Sequence, residues 1–445
     1  MRCALGLGSS RLVANVCGLA MVIALAAACG DRTSTAPAAR AIPAAAGCTN
    51  PSYSGPPPGG GLEPRQIAAA YGIDRLWDAG YRGQGMRVAL IEPGERLDLE
   101  KFRAFSDCWG PFDVPHETVV GGGTPAELGG EPNFDSQVLL ALAPGIERLD
   151  LFESATDSHD QYALLLAAAL EPANTGGELV DAMSISFGTC EAGWSQADVD
   201  AIDAQLRRAA ELGVKVFVAG GDSGSLGSYP DPQGGPRRCV PHPVPREMPF
   251  GVELAIAFPA SSPWATAVGG TELAIDGRVP EEGAPAGGTV TNEIVWNQEV
   301  GGGRFAGGGG MSTLFPVIDA PWQRALGIEG RLHRPDVSAM AGSPKFPNGG
   351  IGTSGASPLT AAGIMVVDSF LAGHGVEPPG FLTPVLYDLA RTDYERVFVD
   401  VVDGSNDVYR LGCCDAAPGY DTASGLGSIR FDRLAEVLLE RARGR

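Results

Sequence analysis

The chain has 445 residues, 44% of them hydrophobic and 19% charged, which is enough apolar material for a substantial core and too little charge for a disordered polyanion. Its 53 acidic residues against 32 Lys and Arg leave a formal net charge of −21, which argues against a nucleic-acid partner, because phosphates recruit Lys and Arg. The 63 glycines and 35 prolines imply many loops and turns between elements.

At the N-terminus, Arg2 and Arg11 precede an apolar run over residues 12–28 that closes on three alanines before Cys29. Length and small-residue ending read as a signal peptide over 1–28. Leu25-Ala-Ala-Ala-Cys29 resembles a bacterial lipobox, so the expected mature chain is exported and anchored through lipid on Cys29. The run could span a bilayer as a retained helix, but a Pro-, Ala- and Ser-rich stretch follows at once. Residues 29–63 read as a low-complexity tether. Beyond Cys29 stand Cys48, Cys108, Cys190, Cys239, Cys413 and Cys414, an even number that favours disulfides in an oxidising compartment. Cys190 with Cys239 is the pair expected, bracketing the Asp222 region. No CxxC has the His spacing of a zinc site.

From Glu63 the pattern changes. Residues 65–80 read as an amphipathic helix and 86–92 as an apolar strand. Further short apolar strands follow near 149–152, 181–187 and 214–220, with helices over 159–170 and 196–212 between them. Residues 264–273 and 288–296 read as strands joined by glycine-rich loops, and 357–373 as a buried helix of small and apolar residues. Continuous apolar strands separated by helices predict one α/β domain over 64–445, a parallel sheet with helices on both faces.

Two serine contexts compete for a catalytic role. Gly221-Asp222-Ser223-Gly224 looks like the nucleophile loop of chymotrypsin-type proteases, but those are β-barrels with an upstream Ala-Ala-His-Cys, and here the tetrapeptide follows a buried strand. Gly352-Thr353-Ser354-Gly355-Ala356-Ser357-Pro358 places a Ser at the start of a buried helix, where helix N–H groups can help stabilise an oxyanion; the same pattern also suits an N-cap Ser. It resembles the nucleophile motif of subtilisin-like folds. A subtilisin needs a His-Gly-Thr base upstream, and the His-Gly at His374 lies after Ser354.

Carboxylates can replace that His. Glu131-Pro-Asn-Phe-Asp135 resembles the Glu-x-x-Leu-Asp helix motif of the sedolisins (serine-carboxyl peptidases), followed by Ala143-Pro144. In the same family order come Phe258-Pro-Ala-Ser-Ser-Pro263, Ala267-Val-Gly-Gly-Thr271, Gly309-Gly-Met-Ser312 and Arg334-Pro-Asp-Val-Ser338, then the Ser354 loop. Residues four apart share a helix face, so Glu131 can approach Ser354 while Asp135 orients it. The resemblance implies a subtilisin-like fold, peptide or protein substrates, Ser354 as nucleophile, Glu131 as base, Asp135 as its orienting partner and Asp222 as the oxyanion-hole acid. It also implies a Ca²⁺ site near the C-terminus, made of the Asp400 and Asp421 carboxylates with the carbonyls of Val401, Ala417 and Gly419; hard oxygen ligands suit that ion. A base that must be ionised and an oxyanion donor that must be protonated set an expected working window of roughly pH 3–5.

Three departures bear on that reading. Family members usually carry a large folded propeptide, whereas a short tether precedes this domain. Pro132 disfavours αR at the residue before it, so Glu131 is expected to cap the helix rather than lie within it. The stretch between Asp336 and Ser354 is short. A catalytically silent cell-surface binding protein that keeps the sedolisin fold is the alternative function. A two-lobed solute-binding protein would show a duplication, and none is visible.

Overall fold

The computed structural model describes residues 39–48, 61–125, 127–245, 250–280, 287–408 and 411–444. The expected signal segment 1–28, the lipid-bearing Cys29 and most of the tether lie outside the described residues. The strands that frame the site are β1 (Arg40–Ile42), β2 (Arg87–Pro93), β3 (Glu95–Arg96), β4 (His116–Val120), β5 (Glu127–Leu128), β6 (Arg148–Ser154), β7 (Ala182–Ile185) and β8 (Thr189–Cys190). They continue with β9 (Lys215–Ala219), β10 (Leu226–Tyr229), β11 (Arg238–Cys239), β12 (Glu253–Leu254), β13 (Ala257–Phe258), β14 (Thr266–Ile275) and β15 (Gly288–Val295). A nine-stranded sheet runs β4-β6-β2-β7-β9-β14-β15-β1, with Val337–Met340 also pairing β14. Pairing is parallel from β4 to β14, as expected; β15 and β1 add antiparallel at one edge.

Strand alternation divides the core. In β2, Val88 and Leu90 point into one apolar layer and Ala89 and Ile91 into the other. In β9, Phe217 joins the first layer while Val216 and Val218 join the second. The first layer is closed by helices α1 (Pro64–Tyr71), α2 (Ile73–Asp78), α3 (Leu99–Trp109), α4 (Glu131–Leu142) and by the long helix Thr353–Gly373; the second is closed by α5 (His159–Ala169) and α6 (Gln196–Leu212). Helices on both faces are therefore present. The single helix expected over 65–80 is two, broken at Gly72, whose φ of +78° ends α1 left-handed. Thr353–Gly373 is apolar and long enough to cross a membrane, yet 89% of its most apolar window is buried inside the protein.

The tether reading needs one correction. Arg40–Ile42, placed in it, is the edge strand β1, with Arg40 and Ile42 buried and Ala41 exposed. The cause lies far along the chain: the Arg40 guanidinium pairs with the fully buried Glu293 at 3.0 Å and donates to the Ala70 carbonyl. Glu63 then accepts the N–H groups of Ala46 and Gly47, both at 2.7 Å, and Cys48 is bonded to Cys108. Low complexity hid a strand whose partner charge sits 253 residues away.

Candidate active site

Three central strands, β2, β7 and β9, end on the same side of the sheet, where ligand sites of open parallel sheets form. β2 ends on Glu92-Pro93, β7 leads into Ser186, and β9 leads through Gly220 and Gly221 to Asp222. The helix Thr353–Gly373 begins at the same place, presenting Ser354 in its first turn.

The four residues expected from sequence converge there. The Ser354 hydroxyl lies close enough to the Glu131 carboxyl to favour its charged form, and Asp135 lies beside Glu131 one helical turn on. Asp135 Oδ2 accepts from Ser186 Oγ at 2.5 Å, and that hydroxyl also lies 3.3 Å from the Ser354 carbonyl. Asp222 approaches from the other side. Its Oδ1 accepts from the Thr353 N–H at 2.8 Å and from Thr353 Oγ1 at 2.7 Å, and Thr353 Oγ1 accepts from the Gly221 N–H at 3.0 Å. Gly352 makes this approach possible: it has φ +136°, and a Cβ there would stand 2.8 Å from Asp222 Oδ2. Contrary to the expectation raised by Pro132, Glu131 is the first residue inside α4; Gly130 is the cap, and proline at the second position forfeits an N–H that has no helical acceptor anyway.

A carboxyl that sequence reasoning missed completes the cluster. Glu92, at the end of β2, is fully buried, and neither of its oxygens has a donor among the described residues. Asp135 Oδ1 and Glu131 Oε1 likewise find no N–H or O–H donor there, so the pair must share a proton to hydrogen-bond. Burial pushes Glu131 up to about 7, with the charges of Asp222 and Glu95 adding to it and the Ser354 hydroxyl opposing. Burial, then the charges of Glu92 and Glu131, holds Asp135 well above the usual carboxylate range. Burial also raises Asp222, against its Thr353 bonds and the charge of His242.

Glu131, Ser186, Asp222 and Ser354 line a cleft of about 600 Å³ together with Asp157, His159, Tyr162, Trp194 and His242. The expected Cys190–Cys239 disulfide forms one wall, tying β8 to β11, and the His159 ring stacks on Trp194 at 3.9 Å. Ser223 of the competing GDSG reading lies 3.5 Å from His242 Nδ1, but no carboxylate among the described residues hydrogen-bonds that ring, so a Ser-His-Asp chain is not assembled.

At the C-terminal site, both expected carboxylates meet the same loop. Asp400 accepts from Tyr394 Oη at 2.8 Å and from the Gly419 N–H at 3.0 Å; Asp421 accepts from the N–H groups of Ala417, Ala423 and Ser424. The Val401 carbonyl lies 3.4 Å from Ser424 Oγ. Neither Asp forms an ion pair with Lys or Arg among the described residues, so the two charges are uncompensated within an all-oxygen donor set, which fits a hard cation. Among the described residues no group of three or more His, Cys, Asp or Glu is arranged to hold a metal ion, so carbonyls would have to complete the shell. In this structure Ala417 and Gly419 meet the carboxylates through N–H rather than carbonyl.

No family model matches the chain. Among curated proteins, kumamolisin of a Bacillus species is 30% identical over 403 residues, covering 85% of this chain and 64% of that protein. Xanthomonalisin of a Xanthomonas species is 27% identical over 341 residues, covering 71% of this chain and 39% of that protein. The chain thus spans about two fifths to under two thirds of the length of these relatives. Among solved structures, Pseudomonas sedolisin, a serine-carboxyl proteinase complexed with pseudo-iodotyrostatin, matches 87% of this chain and 100% of its own with a TM-score of 0.65 at 24% identity. This likeness along most of its length supports the sedolisin family for the chain, and the solved structure shares its fold.

Proposed function

We propose that this protein is a serine-carboxyl endopeptidase acting on peptides or proteins. The observation that carries the proposal is the meeting of Ser354, Glu131 and Asp222 in one cleft, with Asp135 behind Glu131 on the same helix. Ser354 Oγ attacks the scissile carbonyl as Glu131 takes its proton, and the same proton then passes to the leaving amine. Asp135 orients Glu131 and shares the charge change. Protonated Asp222 donates to the developing oxyanion, the role a carboxylic acid plays when its site keeps it neutral.

The working form carries one proton on the Glu131/Asp222 pair, on Asp222. Two protons disable the base, and none leaves an anion facing the oxyanion. Activity is therefore bell-shaped, and its limbs belong to the coupled set rather than to single residues. With Glu131 pushed up to about 7 and Asp222 above the ordinary aspartate range, the whole bell lies higher than the pH 3–5 expected from unperturbed carboxyls. We further propose Ca²⁺ at Asp400 and Asp421, where it would bind the C-terminal loops to the domain without entering the chemistry.

Turnover of a quenched peptide library by wild type and Ser354→Ala tests the reading. A loss of about 10⁴-fold or more is expected. Undiminished cleavage by the variant, or no cleavage by either with tight peptide binding, would instead favour a catalytically silent binding protein.

A further inference from the structure

The helix that launches the proposed base has no cap of its own. Its N-cap is Gly130, which has no side chain, and its second residue is Pro132, which has no N–H. The first N–H of the helix is that of Glu131 itself, and it donates to Glu95 Oε2 at 2.8 Å. Glu95 is delivered by a separate bracket. β3 pairs in parallel with β5, the strand immediately before α4, and the Gly129 N–H donates to the Arg96 carbonyl at 2.8 Å. Two residues further on, the Asp98 N–H donates to Asn133 Oδ1 at 2.8 Å, while Asn133 Nδ2 donates back to the Asp98 carbonyl at 3.0 Å. The segment Glu95–Asp98 thus grips the strand-to-helix turn at three consecutive points, and the middle grip falls on the backbone of the base.

We propose that Glu95 is a positioning residue for Glu131, holding the first turn of α4 so that its carboxyl stays in register with Ser354. This rests on the catalytic reading of Glu131. A carboxylate is a strong acceptor at a helix N-terminus, where the dipole favours negative charge. Its place brings a second consequence, because its charge lies beside the proposed base. The groups facing Glu131 are Asp135 on α4, Glu92 on β2, Glu95 on β3 and Asp222 after β9; all are acids, and His242 reaches the cluster through Asp222. Glu95 therefore adds to the proton affinity of Glu131 while fixing its position.

Two variants separate the roles. Glu95→Gln keeps an oxygen acceptor for the Glu131 N–H and removes the charge; Glu95→Ala removes both. Hydrogen exchange of peptides spanning 127–139 should be about 10-fold faster at the start of α4 in Glu95→Ala and near wild type in Glu95→Gln. In kinetics, Glu95→Ala should lower kcat about 10-fold with KM little changed, since a misplaced base harms the chemical step. Glu95→Gln should restore kcat to within about 2-fold and move the Glu131 limb of the pH profile down by about half to one unit. Unchanged exchange in Glu95→Ala, or a Gln variant no better than the Ala variant in both readouts, overturns the proposal. If wild type shows no Ser354-dependent turnover the catalytic reading falls, while exchange still decides whether Glu95 holds the turn.

Discussion

Two groups of buried carboxyls in this protein have opposite surroundings. Glu293, fully buried, is met by Arg40 at 3.0 Å, Tyr71 Oη at 3.0 Å, Thr271 Oγ1 at 2.7 Å and Ser428 Oγ at 2.6 Å. Glu92 at the end of β2 and Glu131 and Asp135 on α4 have one another, a few hydroxyls and, among the described residues, no cation. A charge taken from water is tolerable when paired and hydrogen-bonded, as at Glu293. Where partners are withheld, proton affinity rises instead, and acids that hold protons into the neutral range are what a carboxyl-based peptidase requires. The first cluster stabilises the fold. The second destabilises it when ionised, a cost that the proposed chemistry would explain.

The contrast is broken most severely at Arg40. Arg40→Ala leaves Glu293 without its cation and should cost about 3–5 kcal/mol, seen as a large fall in denaturation midpoint; Glu293→Gln in the same chain should recover part of it. A loss within about 0.5 kcal/mol would mean that β1 is dispensable and the comparison wrong.

The second test acts on the orphaned acids and has the opposite sign. Because the folded-state proton affinity of Glu131 is raised, the native state holds more protons than the unfolded state between the ordinary glutamate value and about 7. Stability must then fall as pH rises through that window. Glu131→Gln, which cannot ionise, should be about 1–3 kcal/mol more stable than wild type at pH 8 and no more stable at pH 4. A Gln variant less stable at both values would place Glu131 among the structural acids.

Much of the candidate site was legible because its information is local. Glu131 and Asp135 stand one helical turn apart, and the loops of Asp222 and Ser354 have distinctive small-residue patterns. Glu92 was not legible: it ends an apolar strand as any solvent-facing Glu would, and its burial depends on where α4 crosses. Glu95 was hidden likewise, because its acceptor role exists only once β3 pairs with β5. Arg40 failed for a third reason, since alanine- and proline-rich flanks masked a residue whose charge partner, Glu293, lies in β15. The subtilisin-like sheet was readable from strand and helix alternation, while its two antiparallel edge strands were not, being weakly patterned and dependent on distant partners.

A smaller effect is expected at Asp400 and Asp421, a third kind of acid pair, uncompensated yet fully hydrogen-bonded. If Ca²⁺ supplies the missing charge, chelator near neutral pH should lower the melting temperature by a few degrees, roughly 2–4 °C per kcal/mol for a chain of this size or somewhat less, and Asp421→Ala should abolish the response. No bound metal after purification in calcium, with no chelator effect, would remove the ion from the account.

The central claim, that carboxyls divide the work of base and oxyanion donor, is tested most directly by the pH profile of kcat/KM in wild type and Asp222→Asn. An amide donates a hydrogen bond without titrating. The wild-type bell, falling on its alkaline side as Asp222 ionises, should become in the variant a single rise of smaller amplitude set by Glu131, with activity persisting on the alkaline side. A variant that keeps the wild-type alkaline fall, or a wild type most active near pH 9, would contradict the mechanism.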